Sequence, residues 1–304
     1  MAQWNRADRT LFAKLVYYGP AFGGKTTNLE TLHRITDPGD TQPLLSVKTS
    51  EDRTLFFDLL PFDLGSILGY QVALKLYTVP GQVHYNATRK VVLSGADAVV
   101  FVADSTAGRE RDNRESLENL RANLKANGLD PDTVPILVQF NKQDVDTAIP
   151  PDAMSRILGL EPDEGTPAIA TRGDGVLETL LAASRSLLEH LVEIAPARVR
   201  AELDTSGITG HLDRAFAPLR ARGQAAEILP DLPASSDGNG DASVVIDTGD
   251  SDRDPVEAAV RLGESWVSER ASAQRLEREG RALRQLSEML RTTAIRFDRG
   301  VIVE

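Results

Sequence analysis

Eight consecutive residues, Gly19-Pro20-Ala21-Phe22-Gly23-Gly24-Lys25-Thr26, constrain this chain more than any other stretch. They match G-x-x-x-x-G-K-[ST], with an apolar, β-branched run before them and a helical pattern after. Glycines let such a loop curl so that its N–H groups converge on phosphate oxygens. The helix that follows turns the positive end of its dipole toward the same anion. Lys25 is placed to reach the β- and γ-phosphates, and Thr26, followed by Thr27, to bring a hydroxyl to Mg²⁺. The competing reading is a chance Gly-rich turn, which gives no reason for a strand before and a helix after.

Strand, loop and helix in that order imply an α/β domain, and the pattern continues through residue 195. Predicted strands at 11–18, 55–60, 72–79, 98–103, 134–140 and 167–170 alternate with helical periodicity. The runs at 98–103 and 134–140 are continuously apolar, as strands buried on both faces of a parallel sheet should be. Asp112 with Glu115 predicts a capped helix start, Leu117, Leu120 and Leu124 supply one apolar face, and Asn127-Gly128 predicts the stop. Residues 175–194 predict a second helix.

Composition narrows the function classes. A formal net charge of −11 over 304 residues does not suit a surface that neutralises nucleic-acid phosphates. With no cysteine there is no disulfide and no thiolate chemistry. The four histidines have no metal-ligand spacing, and no stretch approaches the length of an apolar membrane span. These features predict a soluble, cytoplasmic chain with neither a lipid anchor nor an integral membrane segment.

A strand-end motif chooses the nucleotide. Asn141-Lys142-Gln143-Asp144 follows the run at 134–140, about 115 residues beyond Thr26. Open α/β sheets bind ligands at that edge. The Asp144 carboxylate can accept from both N1–H and the exocyclic amine of guanine, a pair of donors that adenine lacks. Asn141 and Lys142 would pack around the base and the loop at 19–26. Ala170-Thr171 would complete the pocket, with the Ala170 N–H toward the guanine carbonyl, although a plain strand-to-helix turn with Gly173 and Gly175 has the same appearance.

Two further segments read either as ordinary loops or as sensors of a γ-phosphate. Asp52-Arg53-Thr54 offers a hydroxyl for Mg²⁺, and Thr78-Val79-Pro80-Gly81-Gln82 offers the Gly81 N–H for the phosphate and the Gln82 amide for the attacking water.

Here the sequence resembles the bacterial MglA family of Ras-like GTPases. The resemblance is carried by Tyr17-Tyr18-Gly19-Pro20, by Asp52 to Asp58 (DRTLFFD), by Tyr77 to Gln82 (YTVPGQ), by Phe101 to Ser105 (FVADS), by Glu115 to Leu120 (ESLENL) and by Asn141 to Asp144. It covers roughly residues 10–195 and implies a Ras-like P-loop NTPase fold with a mostly parallel central sheet flanked by helices. It also implies hydrolysis of GTP to GDP with Mg²⁺, with Arg53 as an arginine finger in cis, Gln82 positioning water, and Thr26 and Thr54 on the metal. The family sets cell polarity, at a cell pole, or supports gliding motility, and a roadblock-fold partner, MglB, stimulates its hydrolysis. Thr78 stands where most Ras-like proteins carry aspartate, a substitution shared by the family. Ala21 replaces a common glycine, and crowding by its methyl predicts slow hydrolysis.

The remaining residues depart from the family. All seven lysines lie before the boundary near Pro196, after which arginine alone is used. Residues 1–196 are the expected GTPase domain and 197–230 a partly helical connector, with a short helix near 211–222. Residues 231–254, with seven acids against one base, read as a disordered linker. Residues 255–304 read as an amphipathic helix in which Leu276, Leu283 and Leu290 keep heptad spacing, suited to a coiled coil or partner contact. The alternative function is a GTP-bound scaffold with little hydrolysis that recruits partners through this extension.

Overall fold

The computed structural model describes residues 2–36, 44–49, 57–82, 85–161, 164–205, 207–226 and 243–246. The elements run β1 (Gln3–Asn5), β2 (Thr10–Tyr18), α1 (Lys25–Thr36), β3 (Leu45–Thr49), β4 (Phe57–Ile67), β5 (Tyr70–Thr78), α2 (Asn86–Leu93), β6 (Ala98–Asp104) and α3 (Glu110–Ala126). They continue with β7 (Ile136–Asn141), α4 (Pro151–Leu158), β8 (Thr166–Pro167), α5 (Val176–Ile194), α6 (Ala197–Arg200), α7 (Ile208–Ala226) and β9 (Ser243–Ile246).

One sheet organises them, in the order β8-β7-β6-β2-β5-β4-β3-β9. The central pairs β8/β7, β7/β6, β6/β2 and β2/β5 are parallel, whereas β5/β4 and β4/β3 are antiparallel. β2 changes partner along its length: its first residues pair with β1 and its last four with β6. Helices cover both faces, so β6 is buried at every position from Ala98 to Asp104. The α/β, mostly parallel architecture is the one expected.

Local chemistry explains where boundaries differ. β4 runs past the expected end at Leu60 through Pro61, then closes on β5 by a two-residue turn. Leu68 (φ 59°) and Gly69 (φ 77°) both take left-handed backbone there, as a tight hairpin requires. Val134 lies in a turn closed on the Asp130 carbonyl, so β7 starts at Ile136. β8 stops at Pro167, because Ile169 turns back to bridge Asp174. The expected cap at Asp112 is not made. α3 begins at Glu110 after Arg109, without a side-chain cap, and Asp112 sits in its first turn paired with Arg109 at 2.6 Å.

The core also runs past Pro196, the compositional boundary. Leu212 and Phe216 of α7 are fully buried in the same cluster as β4 and α5. Phe216 packs on Phe62 of β4 with ring centroids 5.9 Å apart. The expected helix at 211–222 is longer, and it shares the core of the sheet. Within the stretch read as a disordered linker, Ser243–Ile246 pairs parallel with β3. The heptad-spaced leucines at 276–290 lie outside the described residues.

Candidate functional site

The carboxyl ends of β2, β5, β6 and β7 converge on one edge of the sheet, and the sequence-predicted residues gather there. β2 ends at Tyr18 and α1 begins at Lys25, so residues 19–24 form the connecting loop, whose carbonyls accept from Lys25, Asn28, Arg109 and Asn141. Close packing explains its glycines. A Cβ on Gly24 would fall 2.1 Å from the Asn141 side-chain nitrogen, at a backbone φ of 97° that disfavours other residues. At the loop's tip Phe22 takes φ 63° and is 80% exposed.

Buried amides bolt this loop to the base-reading loop. The Asn141 amide donates to the Gly23 carbonyl at 2.9 Å and accepts from the Ala170 N–H at 2.9 Å. Beneath it, Asn28 and Gln139 exchange reciprocal hydrogen bonds of 2.9 Å. Asn28 also donates to the Gly24 carbonyl and Gln139 to the Thr179 hydroxyl. Fully paired buried polar networks of this kind hold a single arrangement. They fix the separation between the two halves of a ligand site.

Lys142, in left-handed backbone, donates to the Asp104 carboxylate at 2.8 Å, and Thr106 donates to the same carboxylate from its N–H and its hydroxyl. Burial alone would raise the Asp104 carboxyl; the hydrogen bonds from Lys142 and Thr106 outweigh it and hold it below the usual range. Asp144 is exposed at the mouth of the site. The Ala170 N–H is committed to Asn141, and the Ala170 carbonyl accepts from Thr31 at 2.7 Å. The neighbouring Thr171 is exposed and supplies the next N–H along the chain.

On the phosphate side, Lys25 donates to the Gly19 and Pro20 carbonyls at 3.1 and 2.7 Å. Burial, and next the charge of Arg89, push its ammonium down to about 7, against the pull of Asp58. The Thr26 hydroxyl donates to Asp58 at 2.8 Å. Gly81 lies against the loop, where a Cβ would stand 2.5 Å from the Ala21 Cα. The Gln82 side chain is exposed, while its carbonyl accepts from Arg89. Arg53, Thr54 and His84 lie outside the described residues.

Among the described residues no group of three or more His, Asp or Glu side chains could hold a metal ion unaided. The Thr26 hydroxyl beside the Asp58 carboxylate nevertheless offers the hard oxygen donors that suit Mg²⁺, which retains waters and ligand phosphates as its other ligands. No described helix is long and apolar enough to cross a membrane.

The model of the ADP-ribosylation factor family matches residues 9–191. The mutual gliding-motility protein MglA of Myxococcus xanthus is 45% identical over 187 residues, covering 62% of this chain and 96% of that protein. The chain belongs to the MglA-like, Arf-type small GTPases. More distant likeness extends to ADP-ribosylation factor-like protein 2 of Arabidopsis thaliana, 28% identical over 128 residues (42% of this chain, 66% of that one). ADP-ribosylation factor K of Dictyostelium discoideum is 26% identical over 163 residues (52% and 84%). Small GTPases of this family normally use GTP and GDP with Mg²⁺.

Sequence reasoning missed several residues of this MglA-like site. Arg89 of α2 is buried, donates to Asn119 of α3 at 2.7 Å, and holds the carbonyls of Gly81 and Gln82. Asn119 and Asn123 in turn bond Asn86 and Tyr18, tying α2, α3 and β2 together beneath the Gly81-Gln82 turn. A lone arginine in a short amphipathic helix carries no spacing signal. Asp104 and Asp58 stood inside the quoted family segments, but nothing in their spacing assigned them roles.

Proposed function

We propose that this chain binds GDP and GTP with Mg²⁺ and hydrolyses GTP to GDP and phosphate, switching its effectors between two states. The observation that carries the reading is the Asn141 bridge. One side chain, bonded to Gly23 and Ala170, sets the distance between a phosphate-wrapping loop and the Asp144 carboxylate. Guanine would meet Asp144 through its N1–H and amine. Its carbonyl would take the Thr171 N–H, since that of Ala170 is already used. The N–H groups of residues 19–24, with Lys25, Thr26 and Thr27, would hold the phosphates.

Catalysis is by positioning and charge stabilisation. Gln82 orients the water that attacks the γ-phosphorus, the bond from that phosphorus to the GDP oxygen breaks, and Arg53 meets the charge that develops. Mg²⁺, held through Thr26 and Thr54, supplies neutralisation of the phosphate oxygens. Arg89 holds the backbone that presents Gly81 and Gln82. Gly81 packs so close to the Ala21 backbone that a Cβ on it would stand 2.5 Å from the Ala21 Cα, and in so tight a place the Ala21 methyl would leave less room for Gln82 to swing in, which supports slow turnover. Ala21→Gly should speed single-turnover hydrolysis, and an unchanged rate removes that idea. The same crowding favours a second reading, a scaffold that stays GTP-bound. Nucleotide released from freshly purified protein separates the two: GDP supports a working hydrolase, GTP the scaffold.

The relative's name, mutual gliding-motility protein, supports a role in motility; a role in cell polarity, in the cytoplasm and at a cell pole, with a roadblock-fold activator of the MglB kind, is what the family resemblance implies. Residues 255–304 would contact partners. The decisive test is direct titration with fluorescent GDP and ADP, then GTP turnover with and without the activator. Preference for ADP, or no binding of either, ends this reading.

A further inference from the structure

Asp58 is the second residue of β4, on the antiparallel side of the sheet and two strands away from the strand that leads into the phosphate loop. No nucleotide-binding motif includes it. Its carboxylate Oδ2 nonetheless accepts hydrogen bonds from Thr26 Oγ1 and from Thr78 Oγ1, both at 2.8 Å. Its own backbone N–H donates to that same Thr78 hydroxyl at 2.9 Å. The register that pairs Leu59 with Tyr77 brings residue 58 opposite residue 78, so the contact is dictated by the sheet. Thr78 thus receives from the main chain of Asp58 and gives to its side chain. That closed pair fixes the carboxylate against Thr26, where both Asp58 and Thr78 are buried.

A hydroxyl whose proton is held by a carboxylate turns its lone pairs away from that carboxylate. On Thr26 those lone pairs are the ones available to a cation. Carboxylates that orient and polarise a metal ligand are a large part of metal affinity. Hard divalent cations also favour oxygen sets that carry negative charge.

We propose that Asp58 is the acidic member of the divalent-cation site, orienting Thr26 and supplying local negative charge, and that Thr78 is the residue that positions it. The proposal rests on the guanine-nucleotide reading above. It concerns a positioning residue: Asp58 acts through Thr26, and the structure gives it no contact with a reacting atom.

The test uses the full chain loaded with GDP, with Mn²⁺ as a paramagnetic probe of the metal and a fluorescent GDP to follow release. Asp58→Asn keeps the shape but removes the charge. It should weaken Mn²⁺ binding by about tenfold or more, and make GDP release nearly indifferent to EDTA, which accelerates release from the unsubstituted chain. The double variant Asp58→Asn with Thr78→Asp returns a carboxylate to within the same few ångströms and should recover most of the lost Mn²⁺ affinity. A role confined to folding would not be rescued in this way. Asp58→Asn with unchanged Mn²⁺ affinity and unchanged EDTA sensitivity overturns the proposal. If Asp58→Asn does not fold, Thr78→Val, which leaves the carboxylate but frees its rotamer, should still lower Mn²⁺ affinity, and an unaltered value overturns it. An unsubstituted chain that binds no GDP sinks the guanine reading and this assignment together; one that binds GDP while the variants hold Mn²⁺ normally sinks this assignment alone.

Discussion

The two halves of the nucleotide site are built by different means. On the base side, Asn141, Lys142 and Asp144 come from one strand end, and their supports are mainly buried amides, Asn141 to Gly23 and Ala170 and Asn28 to Gln139, with the ion pair of Lys142 and Asp104. On the phosphate side, the contacts join distant strands and helices: Thr26 to Asp58, Asp58 to Thr78, Arg89 to the carbonyls of Gly81 and Gln82. The first half presents base-facing residues close in sequence and is held mainly by neutral, paired amides, with one ion pair, Lys142 to Asp104, beside them. The second depends on the sheet bringing β4 and β5 beside the loop, and it concentrates charge. The difference implies that recognition of the base and response to the phosphates are separable by mutation.

The largest effect should come from the base side. Asp144→Asn replaces an acceptor of two hydrogen bonds by an amide with a donor. Hydrogen bonds to charged groups are worth about 1.5–3 kcal/mol each, so GDP affinity should fall by roughly two to four powers of ten. Xanthine presents a carbonyl where guanine presents the amine, so XDP should be the better ligand of the variant. The Mg²⁺ sensitivity of nucleotide release should survive. Competition titrations with GDP and XDP check this, and a variant that still prefers GDP would break the assignment of Asp144.

Next in size is a test from farther along β4. Phe216→Ala removes a buried ring from α7, a change that costs about 3–5 kcal/mol in well-packed cores. Denaturant unfolding should show that loss for the whole nucleotide-binding body, since Phe216 packs on Phe62 in the common core. The comparison is sharpened if the folded variant releases nucleotide faster while keeping its preference for guanine. An unfolding midpoint equal to that of the unsubstituted chain would mean that α7 contributes little to this body.

The contrast between the halves also explains what the sequence could disclose. The loop at 19–26 and the motif at 141–144 were legible because each is a contiguous set of residues with one chemical purpose. β2, β6 and the helix at 176–194 were legible from apolar periodicity. Asp58 was not, because its importance arises from the antiparallel register of β4 on β5, and register is a tertiary property. Arg89 was hidden for the same reason: its partners, the Gly81 and Gln82 carbonyls and Asn119, meet only when α2 and α3 pack. The bond from the Ala170 N–H to Asn141 was not legible, because nothing local says that the Asn141 side chain will accept it. α7 was read as part of a connector because two buried residues, Leu212 and Phe216, give too weak a stripe among its polar neighbours.

A smaller effect is expected from the buried amide pair. Asn28→Ala strands the Gln139 amide and the Gly24 carbonyl without that partner, at a cost of about 1–3 kcal/mol. Affinity for GDP should fall along with stability, since Gly24 lies in the phosphate loop and Gln139 in the strand that carries Asn141. Calorimetric unfolding and GDP titration of one preparation test the coupling. A stability loss with unaltered affinity would mean that the bolt supports the core but does not set the site.

The least effect, and one with a definite sign, is read from pH. β6 ends in one aspartate, Asp104, and is preceded by another, Asp97. At its carboxyl end the Asp104 carboxyl is held below the usual range: burial opposes this, but the hydrogen bonds from Lys142 and Thr106 prevail. At its amino end Asp97 is raised, by burial first, although the N-terminal charge and the N–H groups of Lys14 and Ala2 pull it down. For Asp104 the unfolded chain binds the proton more readily, so its contribution is fully present above the ordinary aspartate range and is lost as pH falls through the lower folded value. For Asp97 the folded chain binds the proton more readily, so stability declines as pH rises from the ordinary value through the raised one and then levels off. Asp104→Asn should therefore lower the melting temperature more at pH 7 than at pH 3. Asp97→Asn, which keeps the side chain's shape and an oxygen acceptor, should compare more favourably with the unsubstituted chain at pH 7 than at pH 3. Melting curves across that range would show the two differences sloping in opposite directions. Parallel slopes would mean that the Lys142 contact does not outweigh burial at Asp104, and that the base side of the site is less well paired than its geometry indicates.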